Sequence, residues 1–455
     1  MTTLYKKIYD KSPIIIQHLF TTLKGYELKK RRYNKLYFEK LNMYKNLQDP
    51  IKEQSNQLNK LLKHLKYNIP YYKKTLQNIS DEDLNEETLL NLPIITKEDL
   101  RKDLKSFVNP NQKDMFKGKT GGTTGKSLIV YASKIDNAKR MAYLDYFKLK
   151  HGVKPFSKRA SFTGKEIVPY KQNKNVFWRY NYAINQVLYS GFHVSENNIP
   201  YYIKSLNKFK PKALDGFPTS IYRIAKYINA NNIKLSFKPI CIFPTAETLL
   251  EHQKKEIEEA FNCPVRNQYA SSEGAPFITE CENGRLHFNT ETGYFNLKDY
   301  NIEENLYELV VTSFLNYTTP IVQYKIGDIV EFNKNQEVCD CGNRSLYVEK
   351  ILGRQSDYLL SKNGKVTSVH LSNAIKNAPN SIVACQFVQE KLNEIIINIV
   401  VDDTKFVEKH KDDIVEALKY RFGNDIRVKF NFVEELKKEK SGKTLFIKNL
   451  LVNKQ

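Results

Sequence analysis

The chain is poor in cysteine, in arginine and in long apolar runs, and each shortage excludes something. Six cysteines in 455 residues (Cys241, Cys263, Cys281, Cys339, Cys341 and Cys385) do not make a disulfide framework. No stretch approaches the roughly eighteen uninterrupted apolar residues of a membrane span, and "MTTLYKKIYDKSPIIIQHLF" lacks the apolar core and cleavage site of a signal peptide. A cytoplasmic address is the expectation. Arginine supplies 13 of the 72 basic residues, so the net charge of +22 comes from lysines spread along the chain. Diffuse lysine without a zinc finger, RNP motif or helix-turn-helix argues against a specific nucleic-acid binder. The densest basic stretch, "KGYELKKRRYNKLYFEKLNMYK", reads as a solvated helix face, with peripheral membrane contact as the lesser alternative. No internal repeat or low-complexity linker is present. An apolar fraction of 41% in so long a chain suffices for more than one folded domain.

The pattern of elements changes along the chain. The first hundred residues are helical, and Ser80 in "SDEDLNEETLLNLP" is the expected N-terminal cap. Apolar strands then alternate with amphipathic helices ("SIYRIAKYINANN", "KPICIFPT", "AETLLEHQKKEIEEAF", "PVRNQYA"), which predicts an α/β body with largely parallel sheets. From about residue 306 the pattern is β-rich, and a compact α+β module follows the boundary near Gly353-Arg354.

"KTGGTTGKSLIVYAS" looks like a nucleotide-phosphate loop, but the Walker pattern needs a glycine where Thr120 stands. A Walker Lys-Ser opens a helix, whereas Lys126-Ser127 precedes the strand-like run Leu128 to Tyr131. The stretch is therefore a glycine-threonine loop between extended segments. Four more stretches follow it: "QYASSEG" with Glu273, "QYKIGD" with Asp328 at a strand end, "LGRQSD" at the boundary, and "KEKSGKTLFIKNLL" with Lys443 in a turn. Alone, each is an ordinary cap, turn or solvated lysine.

In this order the five resemble the adenylate-forming (ANL) superfamily. The chain is more closely similar to its phenylacetate–CoA ligase-like branch and the capsular-polysaccharide biosynthesis (CapK-like) ligases within it. "RASFTGKEIVP", "PKALDGFPTSI" and "CPVRNQYASSEG" carry that closer resemblance. It implies a large α/β domain of stacked sheets with a β-rich subdomain, and a small mobile α+β domain. The division would be a helical extension at 1–100, an adenylate-forming core at 101–352, a hinge at 353–358 and the mobile domain at 359–455.

It also implies ATP-dependent adenylation of a carboxylic acid, with release of pyrophosphate and transfer of the acyl group to CoA or another acceptor. Two anions must be pushed together, so the protein works by positioning and neutralising charge. By resemblance, Thr120, Gly121, Gly122, Thr123, Thr124 and Gly125 wrap the phosphates, and Glu273 holds Mg²⁺. Asp328 accepts the ribose hydroxyls, Tyr269 flanks the adenine, and backbone at Ala246 and Glu247 forms the opposite wall. Arg354 reaches ribose and phosphate, and Lys443 bridges carboxylate and α-phosphate when the small domain closes. Lys365 stands where a second nucleotide-contacting arginine often lies and supplies a point charge rather than a fork. The chain departs from the family pattern in having Gly121 where a serine is usual and Gln355-Ser356 before Asp357. The alternatives are an adenylyl transferase that leaves the nucleotide on its product and a catalytically silent polysaccharide-assembly factor. Retention of Lys443 and Glu273 opposes the second.

Cys281 and His287 around a turn, with Cys339 and Cys341, make a Cys₃His set suited to structural Zn²⁺. Buried or surface cysteines beside a turn histidine are the other reading. Cys241 and Cys385 read as core, and Cys263 as half-buried at a helix end. His193, Trp178 and Phe217 are minor candidates for the acyl pocket.

Overall fold

The computed structural model describes residues 3–119, 128–170, 172, 174–354, 358–362, 364–375, 381–402, 404–439, 442 and 444–451. Seven helices open the chain, among them Ile14–Arg32, Lys35–Lys45, Pro50–Asn68, Glu86–Leu90 and Lys97–Lys102. Local signals set their starts. Asn34 caps one helix by accepting from the Tyr37 N–H, and Asp49 caps the next, with Pro50 in the first turn. Ser80 does not cap a helix: its Oγ accepts from the Glu82 N–H in a turn. The cap falls at Asn85, whose side chain and that of Thr88 satisfy each other's backbone N–H. Three acids, Asp81 to Asp83, follow Ser80, whereas Asn85 stands immediately before the helix Glu86–Leu90.

Helix Ile14–Arg32 covers the edge strand Trp178–Asn181 of the main sheet. Arg179 Nε donates to Gln17 Oε1 at 2.7 Å, and the Tyr180 N–H donates to His18 Nδ1 at 3.1 Å. Gly25 lies so close to Asn181 that a Cβ would fall 1.9 Å from its Oδ1. An otherwise open sheet edge is thereby shielded from solvent and from other chains.

That main sheet runs in the order Trp178–Asn181, Gln186–Ser190, Arg159–Thr163, Ala213–Gly216, Cys241–Pro244. Its last three junctions are parallel and its first is antiparallel. Helices Ile199–Phe209, Pro218–Ala230 and Glu251–Phe261 pack on it through Tyr202, Leu206, Ile221, Ile224 and Ile257. Two further four-stranded sheets are antiparallel, one built on Ile278–Glu280 and Leu286–Phe288, the other on Gly293–Asn301, Leu306–Ser313, Tyr324–Glu331 and Lys350–Arg354. The expectation of largely parallel sheets thus holds for one sheet of the body. In the others, tight turns such as Glu282 to Gly284 reverse the chain before any helix can intervene.

The C-terminal part has its own core, which includes Leu371, Phe387, Ile395, Ile397, Ile414 and Leu418. Its sheet runs Arg427–Phe432, Glu394–Val401, Ile382–Lys391, Ile447–Asn449 against helix Glu408–Phe422. The last strand arises from the basic terminus, where Ile447 pairs in parallel with Phe387. Among the described residues no helix is long and apolar enough to cross a membrane.

Candidate active site

The C-terminal edge of the parallel sheet brings Gly164, Gly191, Gly216-Phe217 and Thr245-Ala246-Glu247 together, the edge where open α/β sheets place ligands. Gly216 has φ +122°, and a Cβ there would sit 1.9 Å from the Phe162 carbonyl oxygen. Only glycine fits that turn. Its carbonyl accepts from the Thr245 N–H at 2.8 Å, and the next residue, Ala246, is held at φ 74°. Glu247 divides its oxygens. Oε2 accepts from Thr219 Oγ1 at 2.7 Å, at the start of helix Pro218–Ala230, and Oε1 accepts from the Thr444 N–H at 3.3 Å.

Strands Met115–Lys119 and Ile129–Ser133 pair antiparallel, so the glycine-threonine segment joins the two arms of a hairpin. Thr120, Gly121, Gly122, Thr123, Thr124 and Gly125 themselves lie outside the described residues. The hairpin's second arm is anchored firmly. The Tyr131 N–H donates to Thr319 Oγ1 at 3.1 Å, and Asn316 Nδ2 donates to the Tyr131 carbonyl at 3.0 Å. Helix Lys134–Lys150 follows at once, with Ser133 and Asp136 as reciprocal caps; Asp136 also accepts from the Tyr317 N–H at 2.8 Å.

Opposite stands a group of polar side chains. Tyr269 Oη donates to Asp328 Oδ2 at 2.6 Å, and Arg354 Nε approaches Asp328 Oδ1 at 3.9 Å from the cross-strand position. Asp328 lies inside its strand rather than at the end. It sits at an irregularity where Glu308 pairs with Ile329 but Val310 with Lys325, and Gly327 has φ 81°. The bulge sets the carboxylate against Tyr269 and Arg354. Burial and then the Asp328 carboxylate push the Tyr269 phenol well above its usual pKa, so it stays a donor. Glu273 is only 3% exposed in the loop after Tyr269. Arg140 Nη2 fixes that loop by donating to the Ser271 carbonyl at 2.8 Å. Lys97 feels the charges of both Arg354 and Glu273; desolvation and then Arg354 lower its pKa.

Sequence reasoning passed over Lys97, Arg140, Arg31 and Arg32. The arginines Arg31 and Arg32 depart from the expected solvated face: Lys24 and Lys30 are exposed, but the guanidinium of Arg31 lies over Phe116, and Arg32 is largely desolvated. For Lys97, the capping box Thr96-to-Asp99 was a usable signal of position.

The C-terminal segment docks on this edge. Lys438 Nζ donates to the Gly191 carbonyl at 2.6 Å and pairs with Glu435 at 3.0 Å, and Glu435 also meets Arg223 at 3.3 Å. Gly442, at φ +80°, packs so closely that a Cβ would lie 2.6 Å from Gly164 Cα and 2.9 Å from the Phe192 ring. Lys443, between Gly442 and Thr444, is outside the described residues, as are Gln355, Ser356 and Asp357; Lys365 belongs to strand Gly364–Thr367, with its side chain undescribed. His193 has both ring nitrogens occupied, by Ser190 Oγ at 2.8 Å and the Tyr170 carbonyl at 3.2 Å. Phe217 is buried beside Gly191, and Trp178 packs near Tyr189.

The cysteine set converges elsewhere. The ligand atoms of Cys281, His287, Cys339 and Cys341 all lie within 4.8 Å of one another. His287 Nδ1 donates to the Ser345 carbonyl at 2.8 Å, which leaves Nε2 directed at Cys341 Sγ, 3.4 Å away. Three sulfurs and an oriented imidazole fit a tetrahedral Zn²⁺ donor set. Cys263, expected half-buried, is buried at 7% exposure because the chain turns under helix Glu251–Phe261 towards Val265.

A parallel-edged body, a carboxylate–tyrosine–arginine group and a docked α+β module define the fold of adenylate-forming ligases. A 2-hydroxyisobutyryl-CoA ligase in its postadenylation state superposes with a TM-score of 0.66 at 15% identity, over 88% of this chain and 89% of that one. The same ligase in its thioesterification state gives 0.52 at 14% identity, over 89% and 90%. An acyl acid amido synthetase in complex with 2,4-DB gives 0.57 at 13% identity, over 87% and 89%. The CapK C-terminal domain family matches residues 359–450. Protein CapK of Staphylococcus aureus is 43% identical over 449 residues, 97% of this chain and 98% of that protein. The chain belongs to the CapK family.

Proposed function

We propose that the protein activates a carboxylic acid with ATP and passes the acyl group to CoA or another acceptor, in the synthesis of a cell-surface polysaccharide. In the first step a carboxylate oxygen attacks the α-phosphorus, the bond to the β-phosphate oxygen breaks, and pyrophosphate leaves. The observation that carries the reading is that the Tyr269–Asp328–Arg354 group, brought up to Thr248 by Gly353, neighbours the Glu247 on which Thr444 docks while Gly442 packs on Gly164.

In this reading Asp328 accepts the ribose hydroxyls, Tyr269 and the Ala246-Glu247 backbone enclose the base, and Arg354 and Lys365 meet ribose and phosphate. The loop Thr120 to Gly125, with Thr123 and Thr124, holds the terminal phosphates. Lys443 brings a positive charge to the two reacting anions. The clamping of its neighbours against Gly164 and Glu247 supports that role. Glu273, buried and electrostatically coupled to Lys97 and Arg140, is the carboxylate that would hold Mg²⁺. Bound there, the ion would neutralise phosphate charge; this chain's residues supply the positioning. Zinc at the Cys₃His set would tie the turn at Cys281 to the turn at Cys339, a structural role.

We place residues 1–100 as a helical extension, 101–352 as the core, 353–358 as the hinge and 359–455 as the mobile domain, working in the cytoplasm where ATP is supplied. The relatives in the same fold act towards CoA and in an amido synthesis, which supports leaving the acceptor class open. The test is ATP–pyrophosphate exchange across aromatic, hydroxy, amino and sugar acids, with and without CoA. Exchange is expected with at least one acid and is lost in Lys443→Ala; exchange at the wild-type rate in that variant rules the reading out.

A further inference from the structure

Three arginines keep buried donors without a partner among the described residues, and a lysine beside Gly164 is electrostatically coupled to two of them. Arg31 and Arg32 end helix Ile14–Arg32, Arg140 lies within helix Lys134–Lys150, and Lys165 follows Gly164. Nε of Arg31, Nε of Arg32 and Nη1 of Arg140 are closed off from solvent and have no hydrogen-bond partner among the described residues. The guanidinium of Arg31 rests 4.3 Å over Phe116, and that of Arg140 4.9 Å over Phe277, so aromatic faces fix both.

The four act on one another. Desolvation lowers the pKa of Arg32 and, with Arg32 adding to it, that of Arg140 to about 10. Arg31 depresses both Arg32 and Lys165. Two carboxylates offset them in part, Asp145 towards Arg32 and Glu273 towards Arg140. Asp145 is also committed to the Tyr37 hydroxyl, 2.9 Å away.

Retaining buried cationic donors that the fold leaves unfilled is costly. Like charges gathered together add to that cost, and a bound anion would remove both. The cluster also has a direction. Lys165 stands exposed at its rim, one residue from the Gly164 that Gly442 touches, and Arg140 holds the loop that carries Glu273. The cluster therefore reaches from the residue beside Gly164, on which Gly442 packs, to the loop that carries Glu273.

Resting on the adenylating reading, we propose that the acid substrate carries a second anionic group, a carboxylate or a phosphate ester, which Arg32, Arg140 and Lys165 bind, with Arg31 behind them, while the first carboxylate is activated. Two guanidinium groups offer the paired N–H donors that suit either group, and the lysine at the rim adds a point charge. A monoacid of the same length leaves these donors unfilled and is bound less well.

The experiment uses the full chain at constant ionic strength. Thermal shift is measured with glutarate against butyrate, and with 3-phosphoglycerate against glycerate. At least one acid with two anionic groups raises the midpoint more than its single-carboxylate partner, and the arm that responds tells carboxylate from phosphate. The difference disappears in Arg140→Gln and Arg32→Gln and shrinks in Lys165→Ala, which being exposed carries the test if the arginine variants fold poorly. In pyrophosphate exchange with the responding class, each arginine variant raises the KM for the acid about tenfold and leaves that for ATP unchanged. Equal shifts within both pairs overturn the proposal. So does a rise in the KM for ATP matching that for the acid, which would assign the cations to the triphosphate. If no acid supports exchange but the preference for two anionic groups and its loss persist, the adenylating reading falls and the anion site stands.

Discussion

The two sides of the cleft handle buried charge in opposite ways. On one, Asp328 receives the Tyr269 hydroxyl and faces Arg354, and Glu247 gives one oxygen to Thr219 and the other to Thr444. On the other, Arg31, Arg32 and Arg140 each keep a donor without a partner among the described residues. A network closed on itself holds its geometry before any ligand arrives. An open one stores affinity that only a ligand can release, at some cost to the empty protein. The difference teaches which side is framework and which side selects.

The largest expected effect breaks the comparison altogether. Lys443→Ala should lower exchange at least about a hundredfold, because the charge it supplies matters in the transition state. Next, Asp328→Asn keeps an acceptor for Tyr269 but removes the charge. It should raise the KM for ATP about tenfold while the KM for the acid stays put; equal changes in both would make Asp328 a prop for the whole cleft. Elemental analysis of purified protein should find about one zinc per chain, lost in Cys339→Ser with Cys341→Ser, with a fall of several degrees in Tm. A metal-free wild type with the same Tm removes that site.

Smaller still, Lys438→Ala deletes the ammonium that donates to the Gly191 carbonyl and pairs with Glu435. The loss of about 1 kcal/mol of docking should raise the undocked fraction several-fold, read by fluorescence transfer between dyes on the two domains. The smallest effect concerns His18, whose pKa is held at about 4 by burial and then by Arg179, and whose Nδ1 accepts from Tyr180. The unfolded chain takes up a proton near pH 6.5 that the folded one refuses until about 4. Stability therefore falls as pH drops from 6.5 and levels off near 4. His151, also held at about 4, adds to the slope. Since His18 is only part-buried the effect is screened, and His18→Asn should flatten the dependence of Tm on pH rather than abolish it.

The fold was legible where sequence pattern and local chemistry agree. The strand after the glycine-threonine loop and the α+β tail both follow from apolar alternation within a short window. Glu273, Tyr269 and Asp328 were named through family resemblance, and the structure brings the last two into contact. Lys97, Arg140, Arg31 and Arg32 escaped because a cation on an amphipathic helix reads as a solvated one. Their partners, Ser271 and Phe277 for Arg140 and Phe116 for Arg31, are 80 or more residues away in the chain. Sheet direction was misread for the same reason. "FITE" and "RLHF" are equally apolar in either direction, and only the Gly284 turn makes them antiparallel. The cysteine set was legible as residue types, but its convergence depends on pairing Leu286–Phe288 with Tyr347–Val348.

Gly442 and Gly164 meet with backbone against backbone, and not even a methyl group fits between them. The seated tail thus has no slack along that line, and its seating is gauged by atoms that are not there. Bulk added at either glycine, or a swing of the Phe192 ring, would act as a spacer and keep the tail's cargo out of the cleft. On the adenylating reading, such a chain would still bind ATP and yet leave the acid unactivated.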